Sequence, residues 1–187
     1  SDELRSKWGV DEYGTVVLWV SRLVSEKNTE LFAEAVNAAI FNTGSITPVI
    51  VGDGPARKQL ETLLPEGVFC GHLEGEDLAQ AYASSDIFCF PSVTETFGRV
   101  TLEAMASGLP VIVADAPGGK SLVTHEENGF VVPTQRHFDT AKALVTLTIN
   151  PEMRERFGAK SRELARAYDQ STINDILVGY YRDAVTQ

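Results

Sequence analysis

Two glutamates stand eight positions apart in the segment Ser92–Glu103, SVTETFGRVTLE, around a glycine that opens a helical pattern. Glu95 falls in the loop leaving the apolar run Ile87–Phe90, and Glu103 in the second turn of the amphipathic segment Gly98–Ser107. At about 1.5 Å of rise per residue, Glu103 is about 7–8 Å along the axis from the start of that helix. Between the carboxylates lie first-turn amides that no intrahelical acceptor satisfies, a natural place for an anion. An elongated ligand with phosphate in its middle and hydroxyls at both ends fits this spacing, and a nucleotide-sugar is such a ligand. The same two residues also admit a general acid–base pair of the hydrolase type. They admit a bland reading as well: a surface loop glutamate and a glutamate favoured near a helix start by the macrodipole.

Other polar residues gather where apolar runs end. Arg22 and Lys27 share SRLVSEKN, which follows Val16–Val20. An arginine offers phosphate a planar fork and a lysine a mobile point charge. Alternatively both are solvated cations, with Lys27 paired to Glu26 or Glu30. As loop residues, either is expected to be replaceable with little change in stability. GDGP (Gly52–Pro55) offers a phosphate cradle but reads better as a tight strand-to-helix turn, glycine supplying positive φ and proline opening the helix. The loop Gly71–Gly75 either presents backbone groups to a nucleobase or simply connects two elements. His72 is a lone loop histidine, and His125 and His137 lack ligand-like spacing, so no metal site is expected.

The elements that must position these residues are short apolar runs alternating with helical patterns. Strands are expected at Val16–Val20, Pro48–Val51, Val68–Cys70, Ile87–Phe90, Pro110–Ala114 and Gly129–Val132. Helices are expected at about Thr29–Phe41, Ala56–Leu64, Asp77–Ser84 and Gly98–Ser107, then His137–Ile149, Pro151–Tyr168 and Ser171–Val185. Continuous apolar strands separated by helices imply an α/β fold: a Rossmann-like parallel sheet of about six strands, covered on both faces. A helical tail over about 137–187 belongs to the same single domain, 1–187. Ligands of such sheets bind at the carboxyl ends of the strands, so chemistry is expected from the loops beginning at Ser21, Gly52, Gly71, Pro91 and Asp115.

Bulk properties narrow the partners. The chain of 187 residues is 43% hydrophobic and 22% charged, as a soluble globular protein is. Its net charge of −10 argues against broad nucleic-acid or anionic-membrane binding, so a bound diphosphate needs locally placed cations. No apolar run approaches the roughly 20 residues of a membrane span, and the polar opening SDELRSK is no signal peptide. Without an initiator Met, the chain reads as a fragment or a processed form. Cys70 and Cys89 sit in strand-like runs and are expected to be buried thiols of a reducing cytoplasm.

Taken together, SRLVSEKN, VGDGP, FCGHL, DIFCFPSVTETFGRVTLEAMASGLPVIVADAPGG and NGFVVP resemble the retaining glycosyltransferases of family 4, over roughly Gly14–Pro133. The E-x7-E element followed by EAMASGLPV is the specific part of the likeness, whereas GDGP alone is weak. The form TETFG-x-VTLEAMASG is similar to the branch of sulfoquinovosyl- and mannosyl-transferases.

The resemblance implies the carboxyl-terminal, donor-binding half of a two-domain GT-B fold. It implies transfer of a hexose-type sugar from a UDP- or GDP-linked donor to a lipid, glycan or other acceptor, without cofactor or metal. It also implies that Arg22 and Lys27 grip the diphosphate as leaving group and that Glu95 holds hydroxyls of the sugar. Phe97, Gly98, Arg99 and Val100 would line the helix start, Glu103 would bind ribose, and backbone near Leu73 would meet the base. The acceptor would be held mainly by an amino-terminal domain, and any membrane association would come through it, this half being inactive alone. Two departures bear on donor identity: Arg99 adds a cation, and Ser121 stands in GGKSLV where many members carry an acidic residue. A nicotinamide-dependent oxidoreductase would need G-x-G-x-x-G after the first strand, where SRLVSEKN stands. A non-catalytic nucleotide-sugar sensor stays open.

Overall fold

Six runs free of apolar–polar alternation set the architecture, because strands buried on both faces belong to parallel sheets. A computed structural model describes residues 1–169, so the helix expected at Ser171–Val185 lies outside the described residues. The strands are β1 Thr15–Val20, β2 Ile46–Val51, β3 Val68–Gly71, β4 Ile87–Phe90, β5 Val111–Ala114 and β6 Gly129–Val132. They form one sheet in the order β3-β2-β1-β4-β5-β6, and every neighbouring pair is parallel. All residues of β1, β4 and β5 are buried. The expected α/β sheet is therefore present, with strand and helix ends moved by up to two residues, except that the helix expected at Pro151–Tyr168 stops at Ala165 and finishes as a 3-10 turn, Arg166–Tyr168.

The helices are α1 Asp2–Lys7, α2 Thr29–Thr43, α3 Arg57–Leu63, α4 Gly75–Ala83, α5 Arg99–Ala106, α6 Pro117–Lys120, α7 His137–Thr148 and α8 Pro151–Ala165. In α2, Phe32, Ala35, Val36 and Ala39 recur at helical spacing and are all buried. Phe32 meets Trp19 of β1 at 4.6 Å between ring centroids, and Trp19 meets Phe90 of β4 at 5.1 Å. This aromatic stack pins the two strands that flank the middle of the sheet. The crossovers β1→β2 and β4→β5 step in opposite directions, so right-handed connections put α2 and α5 on opposite faces. Accordingly α2 packs beside α3 and α7, and α5 beside α8.

Two short helices, α1 and α6, were not expected from the sequence. The first is held by tertiary contacts: Arg5 donates to the Asp86 carboxylate at 2.8 Å, to the Gly14 carbonyl at 2.6 Å and to the Ser84 carbonyl at 3.1 Å. Ser84 and Asp86 lie 79 and 81 positions away in sequence and leave no periodic signal.

The chain winds outward through β1, β2 and β3 in one direction and through β4, β5 and β6 in the other. The loops after β1 and β4 thus leave the carboxyl edge side by side, at the point where such sheets bind ligands. The turn after β2 braces the first of them. Gly52 has φ 127°, and a Cβ there would lie 1.9 Å from the Ser21 carbonyl oxygen. Replacement of Gly52 by alanine is therefore expected to cost at least about 2 kcal/mol, from strain and overlap together. Urea unfolding should show a lower midpoint at unchanged slope; an unmoved midpoint would mean that the loop backbone gives way freely.

Candidate functional site

GDGP shapes the loop that carries Arg22 and Lys27. The Leu23 amide donates to the Asp53 carbonyl at 2.9 Å, and the Ala56 amide donates to the Leu23 carbonyl at 2.9 Å. Two amides within GDGP are occupied as well. Gly52 donates to the Gly71 carbonyl at 2.6 Å, and Gly54 to the Asp53 carboxylate at 2.7 Å. The motif forms the strand-to-helix turn between β2 and α3.

The two cations of that loop part company. The Arg22 side chain is 75% exposed and, among the described residues, forms an ion pair only with Glu26, at 3.5 Å. Lys27 ends a single 3-10 turn, Ser25–Lys27, that points its side chain inward, where it is 11% exposed and ion-paired with Glu95. The expectation of two surface cations holds for Arg22 and fails for Lys27. Neither neighbouring glutamate takes Lys27: Glu26 faces Arg22, and Glu30 accepts from Gln59.

Two further contacts join this loop to the one after β4. The Asn28 side-chain amide donates to the Pro91 carbonyl at 2.9 Å, and the Thr94 hydroxyl to the Glu26 carbonyl at 3.4 Å. Beneath them, Gly118 supports the Glu95 backbone closely; a Cβ there would stand 2.2 Å from the Glu95 carbonyl oxygen.

The helix start between the glutamates has no side-chain cap, and Gly98 itself is buried. Gly98 is the N-cap of α5 in the left-handed region, φ 82°. Helix geometry leaves the amides of Gly98, Arg99, Val100 and Thr101 without an intrahelical acceptor, at the positive end of the helix dipole. Phe97 contributes backbone here, while its ring turns away to meet Tyr168 edge-on at 5.7 Å.

One turn further along, Glu103 is 34% exposed, and each of its oxygens has a partner. Arg99 Nε donates to Oε1 at 3.2 Å, and the Tyr82 hydroxyl donates to Oε2 at 3.1 Å. Tyr82, on α4, is buried. Burial pushes its phenol well above the ordinary range, and the neighbouring Glu103 charge pushes it further, so it remains a donor. Val100 is half-buried, and its carbonyl lies 3.3 Å from the same hydroxyl. Leu73 follows β3 and packs half-buried on the core. Its neighbour His72 is exposed, 2.9 Å from Glu74. No hydrogen bond or ion pair joins Arg22 or Leu73 to either glutamate among the described residues.

Sequence reasoning missed Tyr82, Asn28 and Gly118. Tyr82 lies 21 positions from Glu103, and Asn28 lies 63 from Pro91, separations that no helical or strand period connects. The glycine pair of APGGKS was the only hint of a close approach. Elsewhere, a cavity of about 500 Å3 beside β6, lined in part by Phe130, Asp139 and Arg156, contains none of the site residues. Among the described residues no His, Cys, Asp or Glu cluster suits a metal ion, and no helix is long and apolar enough to cross a membrane. Both cysteines are free; Cys89 is buried, but Cys70 is only half-buried, short of the burial expected for it.

Comparison with known proteins bears on the family and the fold. Residues 1–164 match the family described as glycosyl transferases group 1. A GDP-mannose-dependent alpha-mannosyltransferase of Mycolicibacterium smegmatis is 39% identical over 180 residues, covering 96% of this chain and 46% of that protein. Sulfoquinovosyl transferase SQD2 of Arabidopsis thaliana is 37% identical over 159 residues, covering 82% of this chain and 30% of that protein. The chain thus spans half or less of the length of these relatives. Among solved structures, Anabaena Alr3699/HepE in complex with UDP superposes with a TM-score of 0.85 at 27% identity, covering 97% of this chain and 52% of that one. With residues 1–164 matched by the family model and a relative 39% identical over 96% of this chain, the chain belongs to the glycosyl transferases group 1 family.

Proposed function

We propose that this chain is the donor-binding domain of a retaining glycosyltransferase that moves a hexose-type sugar from a nucleoside-diphosphate donor to a lipid, glycan or other acceptor. The acceptor site is assigned to the part of a longer protein for which the length of the relatives leaves room, and this domain alone is assigned no turnover. A cytoplasmic setting belongs to the same proposal and accords with the two unpaired thiols. The relatives point to both GDP and UDP in their names and titles, so the base is left as either.

One observation carries the reading: the uncapped amides at Gly98 lie between Glu95, held by Lys27, and Glu103, held by Tyr82 and Arg99. In the proposed pose the diphosphate meets the amides of Gly98, Arg99 and Val100 beside the backbone of Phe97. Glu103 accepts from ribose hydroxyls, Glu95 from sugar hydroxyls, and the base lies near the Leu73 backbone. An ammonium has three donors, so Lys27 can keep Glu95 and still donate to a diphosphate oxygen. As the sugar departs, Lys27, Arg22 and the amides absorb the charge growing on the diphosphate. These groups supply the positive charge themselves, so no cofactor or metal is assigned.

Calorimetry with UDP, GDP and their sugar conjugates in EDTA tests the reading. Binding should persist without divalent metal. Glu103→Ala should weaken the bare nucleotide and the nucleotide-sugar alike, by about 1.5–3 kcal/mol, tenfold or more. Glu95→Ala should weaken only the sugar-bearing donor. A hydrolase pair predicts instead that nucleotide binding ignores both changes. Equal loss of bare nucleotide in the two variants would overturn the division of labour.

Stability separates the two cations. Lys27→Ala strands a largely buried carboxylate and should destabilise the ligand-free protein by about 1–3 kcal/mol, with much of that coupled to Glu95 in a double-mutant cycle. Arg22→Ala should cost under about 0.5 kcal/mol, while both variants weaken nucleotide binding. Equal urea midpoints for the two would refute the distinction.

A further inference from the structure

Glu103 reaches the surface of α5 on a side chain with several rotatable bonds, yet the protein fixes one of its oxygens. The group that fixes it is anchored in the core: Tyr82 is 2% exposed, and its ring lies 6.1 Å from that of Phe88 on β4. Its hydroxyl has two acceptors within reach, the Val100 carbonyl at 3.3 Å and Glu103 Oε2 at 3.1 Å. The carboxylate is the nearer and the charged one, so it takes the stronger bond. The other oxygen, Oε1, is held differently. Its partner Arg99 is 87% exposed and free to swing into solvent. One face of the carboxylate is thus locked from below and the other only loosely covered from above.

We propose that Tyr82 is a positioning residue for nucleotide recognition: its hydroxyl pre-orders the Glu103 carboxylate so that Oε1 is presented to the ribose hydroxyls. This rests on the reading of Glu103 as the ribose ligand. Ordering a long side chain at the moment of binding costs affinity, and a carboxylate already ordered by the core avoids that cost. Tyr82 touches no ligand in this account; it acts through Glu103.

The test compares the parent chain with Tyr82→Phe, Glu103→Ala and the double variant, titrated with GDP and UDP, with the corresponding 2′,3′-dideoxy nucleotides and with inorganic pyrophosphate. Tyr82→Phe keeps the ring and removes only the hydroxyl. It should weaken GDP or UDP about fivefold, the scale of one ordinary hydrogen bond. It should leave pyrophosphate and dideoxynucleotide affinity unchanged and add nothing in the Glu103→Ala background. A hydroxyl that merely supports the fold would, when lost, weaken pyrophosphate and nucleotide together; that outcome, or failure of Tyr82→Phe to fold, overturns the proposal. Unchanged nucleotide affinity in Tyr82→Phe, with Glu103→Ala still weakened, overturns it while leaving the ribose reading intact. If Glu103→Ala has no effect, or the parent binds neither nucleotide at millimolar concentration, the ribose reading falls and this inference with it.

Discussion

Parallel strands leave a crevice where the winding direction reverses, and the contacts that join the loops after β1 and β4 depend on how that crevice is closed. The β1–β2 ladder runs through six residue pairs, but β1 and β4 pair only at Val17–Ile87 and Leu18–Phe88. Beyond Leu18 and Phe88 no ladder joins the two strands, so side chains hold the edge together. Lys27 reaches Glu95, and Asn28 reaches the Pro91 carbonyl. The aromatic contacts of Trp19 with Phe32 and Phe90 fix the layer underneath.

That arrangement also resolves a conflict of charge. The chain carries a net −10, and the residues bracketing the helix start are two glutamates, a poor setting for a diphosphate. Each carboxylate, however, has a cation beside it, Lys27 for Glu95 and Arg99 for Glu103. Opposite charges in contact cancel much of each other's field at the distance of a neighbouring site. The anion site then sees mainly the amide dipoles of α5 and the remaining donors of Lys27. Global acidity therefore does not decide what this edge of the sheet can bind.

How much of this could be read from the sequence follows from how local each cause is. Strands such as Ile87–Phe90 and Val111–Ala114 were legible because burial on both faces writes an unbroken apolar run. The Glu95–Glu103 spacing was legible because both residues flank one helix start. The partner of Lys27 was not: sequence neighbours suggested Glu26 or Glu30, whereas the real partner is 68 positions away and is met only because the sheet reverses between β1 and β4. The same holds for Tyr82, whose composition and spacing match any core aromatic. GDGP shows the complementary case, since a turn reading from glycine and proline preferences alone agrees with where its amides are spent. The short α1 and α6 carry too few residues for a period, and their existence depends on tertiary partners.

The site divides into parts that the core immobilises and parts that it leaves free, and the division suits the proposed chemistry. Glu95 is held through Lys27 from one side and closely supported by Gly118 from beneath; Glu103 is held through Tyr82. These carboxylates would fix the two hydroxyl-bearing ends of a donor, and recognition of that kind gains from groups that need no ordering on binding. Arg22 and Arg99 are instead largely exposed, each with a single acidic neighbour along its own stretch of chain. Charge on a departing diphosphate grows as the bond to the sugar breaks, so a cation that can follow it contributes most at that stage, where stabilisation accelerates the reaction. In the proposed reaction Glu95 and Glu103 hold the donor from fixed positions, while the exposed Arg22 is free to follow its departing diphosphate.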